Sequence, residues 1–161
     1  MLPTVRLLQA AGADHYRTAR SLIEEYAADL NVSIGVDLAF QNFSAELEHL
    51  AECYGPPSGC LLLASSDDEW LGCCALRQLS PEVCEMKRLY IKPQARGANL
   101  ARRLSHELLS QARTLGYRRM VLDTLGNMTA AQALYRSLGF RDTAPYYFNP
   151  LPGVIYMELA L

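Results

Sequence analysis

The chain has 161 residues, half of them apolar, with a formal net charge of −2 and a pI near 5.9. That length supports one domain with a substantial core and is short for two. The charge balance leaves no basic face of the size nucleic acid requires, so no nucleic-acid partner is expected, whereas a small phosphorylated ligand could still meet a local cluster of Lys87, Arg88, Lys92, Arg96, Arg102 and Arg103.

The five cysteines, Cys53, Cys60, Cys73, Cys74 and Cys84, are odd in number, form no Cys-x-x-Cys and sit mainly in apolar runs. They read as buried free thiols. His15, His49 and His106 lie at no ligand spacing from them, so neither a disulfide framework nor a metal site is expected. The first residues, Met1-Leu2-Pro3-Thr4-Val5-Arg6, lack the apolar core of a signal peptide, and no apolar run reaches membrane-spanning length. The expectation is a cytoplasmic protein with no membrane partner.

In chain order, Val5 to Gln9 is a short strand. Tyr16, Ala19, Leu22, Ile23, Tyr26, Ala27 and Leu30 then recur at helical spacing, with Asp14 as cap and an end near Asn31. Val32 to Phe40 has no clear period and reads as a loop, and Ser44 opens a second helix through Leu47, Leu50 and Ala51. A loop between two helices often walls a substrate site, which makes Asp37, Phe40, Gln41 and Phe43 acceptor-pocket candidates. Gly55-Pro56-Pro57-Ser58-Gly59 punctuates the chain. Two apolar runs, Cys60 to Ala64 and Trp70 to Leu76, then flank a polar turn as an antiparallel hairpin, and a third strand covers Val83 to Ile91.

That third strand stops at Pro93, and Leu100, Leu104 and Leu108 start a new apolar stripe, so a helix is predicted to begin near Gly97. The N–H groups of its first turn have no intrahelical partner and stand at the positive end of the helix dipole, where a phosphate or pyrophosphate is favoured. No Gly-x-x-x-x-Gly-Lys-Ser/Thr loop or Gly-x-Gly-x-x-Gly turn occurs, so a nucleoside-triphosphatase or Rossmann site is unsupported. The helix runs to Gly116, Arg118 to Leu125 is a strand parallel to the previous one across the helical crossover, Met128 to Leu138 is a helix closed by Gly139, residues 146–153 form a long turn, and Val154 to Leu159 is the last strand. The order gives an α/β (α+β) fold: a mixed, mostly antiparallel sheet with helices on both faces.

Two stretches carry a resemblance to a known family. Gln94-Ala95-Arg96-Gly97-Ala98-Asn99 resembles the Gln/Arg-x-x-Gly-x-Gly/Ala turn with which Gcn5-related N-acetyltransferases hold the pyrophosphate of acetyl-coenzyme A, with Asn99 where the family usually has Gly or Ala. Ala131-Gln132-Ala133-Leu134-Tyr135-Arg136-Ser137-Leu138-Gly139-Phe140 resembles that family's Ala-x-x-Leu-Tyr-x-x-x-Gly-Phe helix. The resemblance implies a single acetyltransferase domain over residues 1–161 with a splayed parallel strand pair, acetyl-coenzyme A as cosubstrate, and direct transfer to a small-molecule or peptide amine through a tetrahedral intermediate. By position it assigns the cofactor to Leu89, Tyr90, Ile91, Gln94, Arg96, Gly97, Ala98, Asn99, Leu100, Ala101 and Asn127, and makes Tyr135 the acid that protonates the leaving thiolate.

An amine acceptor is mostly ammonium at neutral pH and must lose a proton before it attacks, so a strand carboxylate is wanted as base. Glu85 aligns with the general-base glutamate of histone-acetylating members, and Asp123 on the next strand is its rival. Tyr146, Tyr147 and Asn149 join Asp37 and Phe40 as candidates for binding the acceptor. Because Asn99 departs from the family pattern, a non-catalytic acyl-coenzyme A-binding regulatory module stays open as a second class, as does a homodimer.

Overall fold

The computed structural model describes residues 4–38 and 42–161, so Phe40 and Gln41 lie outside the described residues. Seven strands form one sheet: β1 (Val5–Gln9), β2 (Cys60–Ser66), β3 (Glu69–Ser80), β4 (Val83–Ile91), β5 (Arg119–Leu125), β6 (Arg141–Asp142) and β7 (Val154–Ala160), in the order β1-β2-β3-β4-β5-β7-β6. Each neighbouring pair is antiparallel except β4 with β5. That exception follows from the connection. A hairpin turn reverses the chain between β3 and β4, whereas a helical crossover returns it to lie parallel.

Helices cover both faces because strands buried on both sides need two apolar layers. On one face α1 (Gly12–Ile34) sets Ala19, Leu22 and Ile23, with Leu50 and Tyr54 of α3 (Leu50–Tyr54), against Leu61, Leu63, Cys73 and Ala75 of the sheet. On the other, Leu100, Leu104 and Leu108 of α4 (Leu100–Thr114) and Tyr135 of α5 (Thr129–Ser137) pack on Leu62, Cys74, Leu76, Met86, Met120 and Leu122. Alternate residues of one strand therefore serve opposite cores, as the two-residue period requires. The four fully buried cysteines are packing residues, and all five are free thiols.

Several boundaries differ from those the sequence suggests. Helix α1 runs on to Ile34. It ends in a left-handed Gly35 (φ +68°), with Gly35 N–H donating to Asn31 O and Val36 N–H to Leu30 O, so the stop sits where the chain has a glycine rather than where the apolar stripe thins. Ala11, not Asp14, is its N-cap; Asp14 lies in the first turn, paired with Arg17. The second helix is two short ones, α2 (Phe43–Glu48) and α3, broken at His49. Strand β6 is a two-residue edge pairing on β7, too short to show any period in the sequence.

Beneath α2, Glu46 accepts two hydrogen bonds from the buried Arg88 guanidinium, each 2.8 Å, which also lies over the Phe43 ring. Burial alone would raise the Glu46 carboxyl, but the Arg88 hydrogen bonds and charge outweigh it and hold the group below its ordinary value. A depressed folded-state value adds stability above the unfolded carboxylate range near 4.3, lost as pH falls through the folded value. Glu46→Ala, which strands a buried cation, is expected to cost about 3–5 kcal/mol in urea unfolding at pH 7. The stability gap between the wild type and Glu46→Gln should narrow as the pH is lowered through that range.

Candidate active site

Strand β4 carries the irregularity that makes the site. Against β3, Ala75 faces Lys87 and Cys73 faces Tyr90, so Arg88 and Leu89 together oppose Cys74. This is a β-bulge, and Arg88 sits in it at φ +60°, a conformation costing a non-glycine residue about 1–2 kcal/mol. The double hydrogen bond to Glu46 holds it there, and Cys73 Sγ donates to Arg88 O at 3.3 Å. On the other edge β4 pairs with β5 through Val83↔Arg119, Cys84↔Met120 and Glu85↔Val121, and the described pairing ends there. Past Glu85 the two strands part.

Two cavities meet in the gap. A groove of about 760 Å³ runs along Leu89, Tyr90 and Ile91, past the turn at residues 95–99, between the first turns of α4 and α5. A smaller cavity of about 110 Å³ reaches inward to Lys87, Asp123, Tyr135 and Asn149. Tyr26, Leu30, Leu89, Met128 and Ala131 line both, so the groove and the inner cavity adjoin between the turn and the polar end.

The turn is built from left-handed backbone. After a short 3-10 segment over Pro93–Ala95, Gly97 has φ +86° and Asn99 φ +62°. A Cβ at Gly97 would meet nothing within 4 Å, so the glycine serves the backbone angle and leaves open space before it. Asn99 occupies the left-handed N-cap of α4, which therefore begins at Leu100, three residues later than the sequence suggests. The first intrahelical bond is Arg103 N–H to Asn99 O at 3.1 Å. The N–H groups of Leu100, Ala101 and Arg102 precede it, and among the described residues no side chain caps them.

The expected cationic cluster around this turn is dispersed. Lys87 and Arg88 are buried under α1 and α2, Arg102 donates to Ser137 Oγ at 2.6 Å, and exposed Arg103 reaches Val5 O. Arg96 does face the groove. Its Nε donates to Ile91 O at 3.0 Å, its Nη2 reaches Asp29 of α1, and its guanidinium lies over the Tyr90 ring.

At the polar end, Tyr135 presents its ring edge to Phe140, and burial pushes its phenol well above the ordinary value, so it stays protonated. Glu85 is fully buried between two donors: Arg77 Nε at 2.7 Å on Oε1 and the Tyr146 hydroxyl at 2.5 Å on Oε2. Asp123, partly exposed, accepts on Oδ2 from the Tyr147 hydroxyl and from Asn149 Nδ2 at 2.8 Å. The Tyr146 and Tyr147 phenols are both raised, first by burial and then by these carboxylates.

Of the residues singled out in the sequence, Leu89, Tyr90, Ile91, Arg96, Gly97, Asn99, Leu100, Ala101 and Asn127 line the groove, while Gln94 and Ala98 are exposed on its turn. Tyr135 and Asn149 line the inner cavity. Asp37 is exposed, and its neighbours Val36 and Leu38 take the cavity wall. Tyr146 and Tyr147 tie a loop to Glu85 and Asp123. The sequence reading missed Lys87 as a cavity residue, because Arg88's bulge places both cations on one side of a strand whose plain alternation would separate them.

The chain matches the acetyltransferase (GNAT) family over residues 20–140, and it belongs to that family. A protein of Schizosaccharomyces pombe named as an uncharacterised N-acetyltransferase is 43% identical over 144 residues, 88% of this chain and 86% of its own length. Among solved structures, an acetyltransferase of Streptococcus agalactiae superposes with a TM-score of 0.80 at 18% identity, covering 98% of each chain. The PaiA N-acetyltransferase of Thermoplasma acidophilum, in complex with coenzyme A, superposes at 0.76 with 15% identity, covering 98% of this chain and 99% of its own.

Because Asn99 tolerates the left-handed angle, Asn99→Gly should leave stability within a few tenths of a kcal/mol. Asn99→Val should cost about 1–2 kcal/mol, read as a lower urea midpoint at unchanged m-value.

Proposed function

We propose that the protein transfers an acetyl group directly from acetyl-coenzyme A to a primary amine of a small molecule or peptide. The observation that carries this reading is the succession from α4 N–H groups left without a side-chain cap, along a strand edge β5 has left, to a cavity lined by a protonated phenol and the Asp123 carboxylate. When bound, acetyl-coenzyme A supplies a thioester, an acyl group already activated toward an amine.

The remaining chemistry belongs to the chain. Main-chain donors of Gly97, Ala98, Asn99, Leu100 and Ala101 suit a diphosphate, since each is a fixed dipole at the positive end of a 15-residue helix, with Gln94 and Arg96 at its rim. The Cβ-free space before Gly97 suits close approach of such a group. The edge of Leu89, Tyr90 and Ile91 suits an extended amide-bearing arm, and Asn127 borders the same groove. A strand N–H here would stabilise a developing oxyanion.

The Tyr135 hydroxyl gives its proton to the departing thiolate, which as an alkyl thiol of pKa about 8.5 leaves more readily when protonated. Burial favours that role by keeping the phenol protonated. For the base, Asp123 is the carboxylate that lines the cavity and serves the amine directly. Glu85 is enclosed, and its contact with the acceptor side runs through the Tyr146 hydroxyl, so it acts one hydroxyl removed.

Tyr135→Phe should lower kcat by about 100-fold in a thiol-release assay with coenzyme affinity unchanged; undiminished turnover would remove the acid role. Gly97→Asp places a negative charge where the diphosphate belongs and should abolish the heat of acetyl-coenzyme A binding in calorimetry. Wild-type binding in that variant would remove the turn from the site.

A further inference from the structure

The loop of residues 143–153 is fastened to β5 and β7 at several points, and most of them converge on Asp123. Tyr156 of β7 stands directly across the ladder from Asp123. Its hydroxyl donates to Tyr147 O at 2.9 Å and accepts from Asn149 N–H at 3.2 Å, so the ladder partner of Asp123 fixes the main chain on both sides of Phe148. The Tyr147 ring also meets the Tyr146 and Tyr156 rings. Asn149 is turned by its own surroundings. Its Oδ1 accepts from Leu151 N–H at 3.0 Å, and Nδ2 on the other side donates to Asp123 Oδ2 at 2.8 Å and to the Tyr147 hydroxyl oxygen at 3.3 Å. Gly126 N–H donates to Gly153 O at 2.8 Å and closes the loop onto the end of β5.

The Tyr147 hydroxyl completes this set by donating to the same oxygen of Asp123. Among the described residues, both hydrogen bonds to that carboxylate land on Oδ2 and none on Oδ1. Asp123 lines the inner cavity together with Lys87 of β4, Tyr26 of α1 and Tyr135 of α5, whereas Tyr147 lines neither cavity. Its phenol, held above the ordinary value first by burial and then by Asp123, keeps its proton and so donates. We propose that Tyr147 is a positioning residue: it acts through Asp123, holding Oδ2 so that Oδ1 is presented to the acceptor amine, and it does not bind the acceptor. This rests on the transferase reading, with Asp123 as base. The acceptor ammonium gives one proton to Oδ1, the electron pair of that N–H bond stays on nitrogen and attacks the thioester carbonyl, and Tyr147 holds its own proton throughout. An aspartate that swings between rotamers meets the amine in productive geometry for only part of the time, and donors fixed on its far oxygen prevent that.

The test is a double-mutant cycle of Tyr147→Phe, which keeps the ring and loses only the hydroxyl, with Asp123→Asn. Thiol release is followed with ethylamine, benzylamine and 2,2,2-trifluoroethylamine, whose fluorines leave its nitrogen neutral at the pH of the assay. Tyr147→Phe should lower kcat on the two basic amines by about tenfold or more, with KM within about twofold of the wild type. On trifluoroethylamine, which has no ammonium proton to lose, the loss should be about twofold or less. In the Asp123→Asn background, removing the hydroxyl should cost nothing further, because a residue that acts through another is not additive with it. An undiminished rate, equal losses on all three amines, a raised KM, or losses that multiply with those of Asp123→Asn would overturn the proposal. If the wild type acetylates none of the three, the transferase reading fails by itself, and crystal structures of the wild type and Tyr147→Phe with coenzyme A still read the positioning. An Asp123 carboxylate that is turned, or split between orientations, in the variant supports it, and an unmoved one overturns it.

Discussion

The bulge at Arg88 is the constraint on which the site depends. A left-handed arginine in the middle of a strand is costly, and it persists because its guanidinium is fixed by both oxygens of a buried glutamate from another element. The extra residue bends β4, and beyond Glu85 the described pairing with β5 ends. The sheet thus exchanges a few ladder hydrogen bonds for a gap through its centre. Sealed on both faces by helices, the same sheet with a regular β4 would have a continuous core there and no path between the turn and the carboxylates.

The turn after β4 meets a second demand. Two left-handed residues within three positions swing the chain from the strand into α4, and a helix start with no side-chain cap keeps its N–H groups available. Asparagine at position 99 fits this geometry for the reason glycine does, at somewhat greater cost. The departure from the family pattern at that residue is therefore a conservative one in backbone terms. It keeps the angle and adds an amide at the rim of the groove.

What could be read in the sequence is what local pattern determines. The strand and helix periods, the glycines that stop α4 and α5, and the order of elements around the crossover follow from spacing alone, and the two motif stretches pointed to the groove-lining residues. What could not be read depends on contacts remote in sequence. Nothing local distinguishes Arg88 from a solvated strand residue, because its partner lies 42 positions away, and Tyr146 meets Glu85 across 61. The burial of Lys87 follows from that bulge, and the break at His49 divides a stripe whose apolar period runs through it. Sequence order alone likewise could not tell that Glu85 would be enclosed and Asp123 left facing the cavity.

The central claim, that a diphosphate-bearing coenzyme is held by main-chain donors at the β4–α4 junction and along the parted edge of β4, is tested most directly by amide-resolved NMR of the labelled protein titrated with coenzyme A. The largest shifts and gains in exchange protection are predicted at the amides of residues 97–102 and 89–91, with smaller ones on β1 and β2. Coenzyme A that binds while those amides stay unchanged would contradict the account.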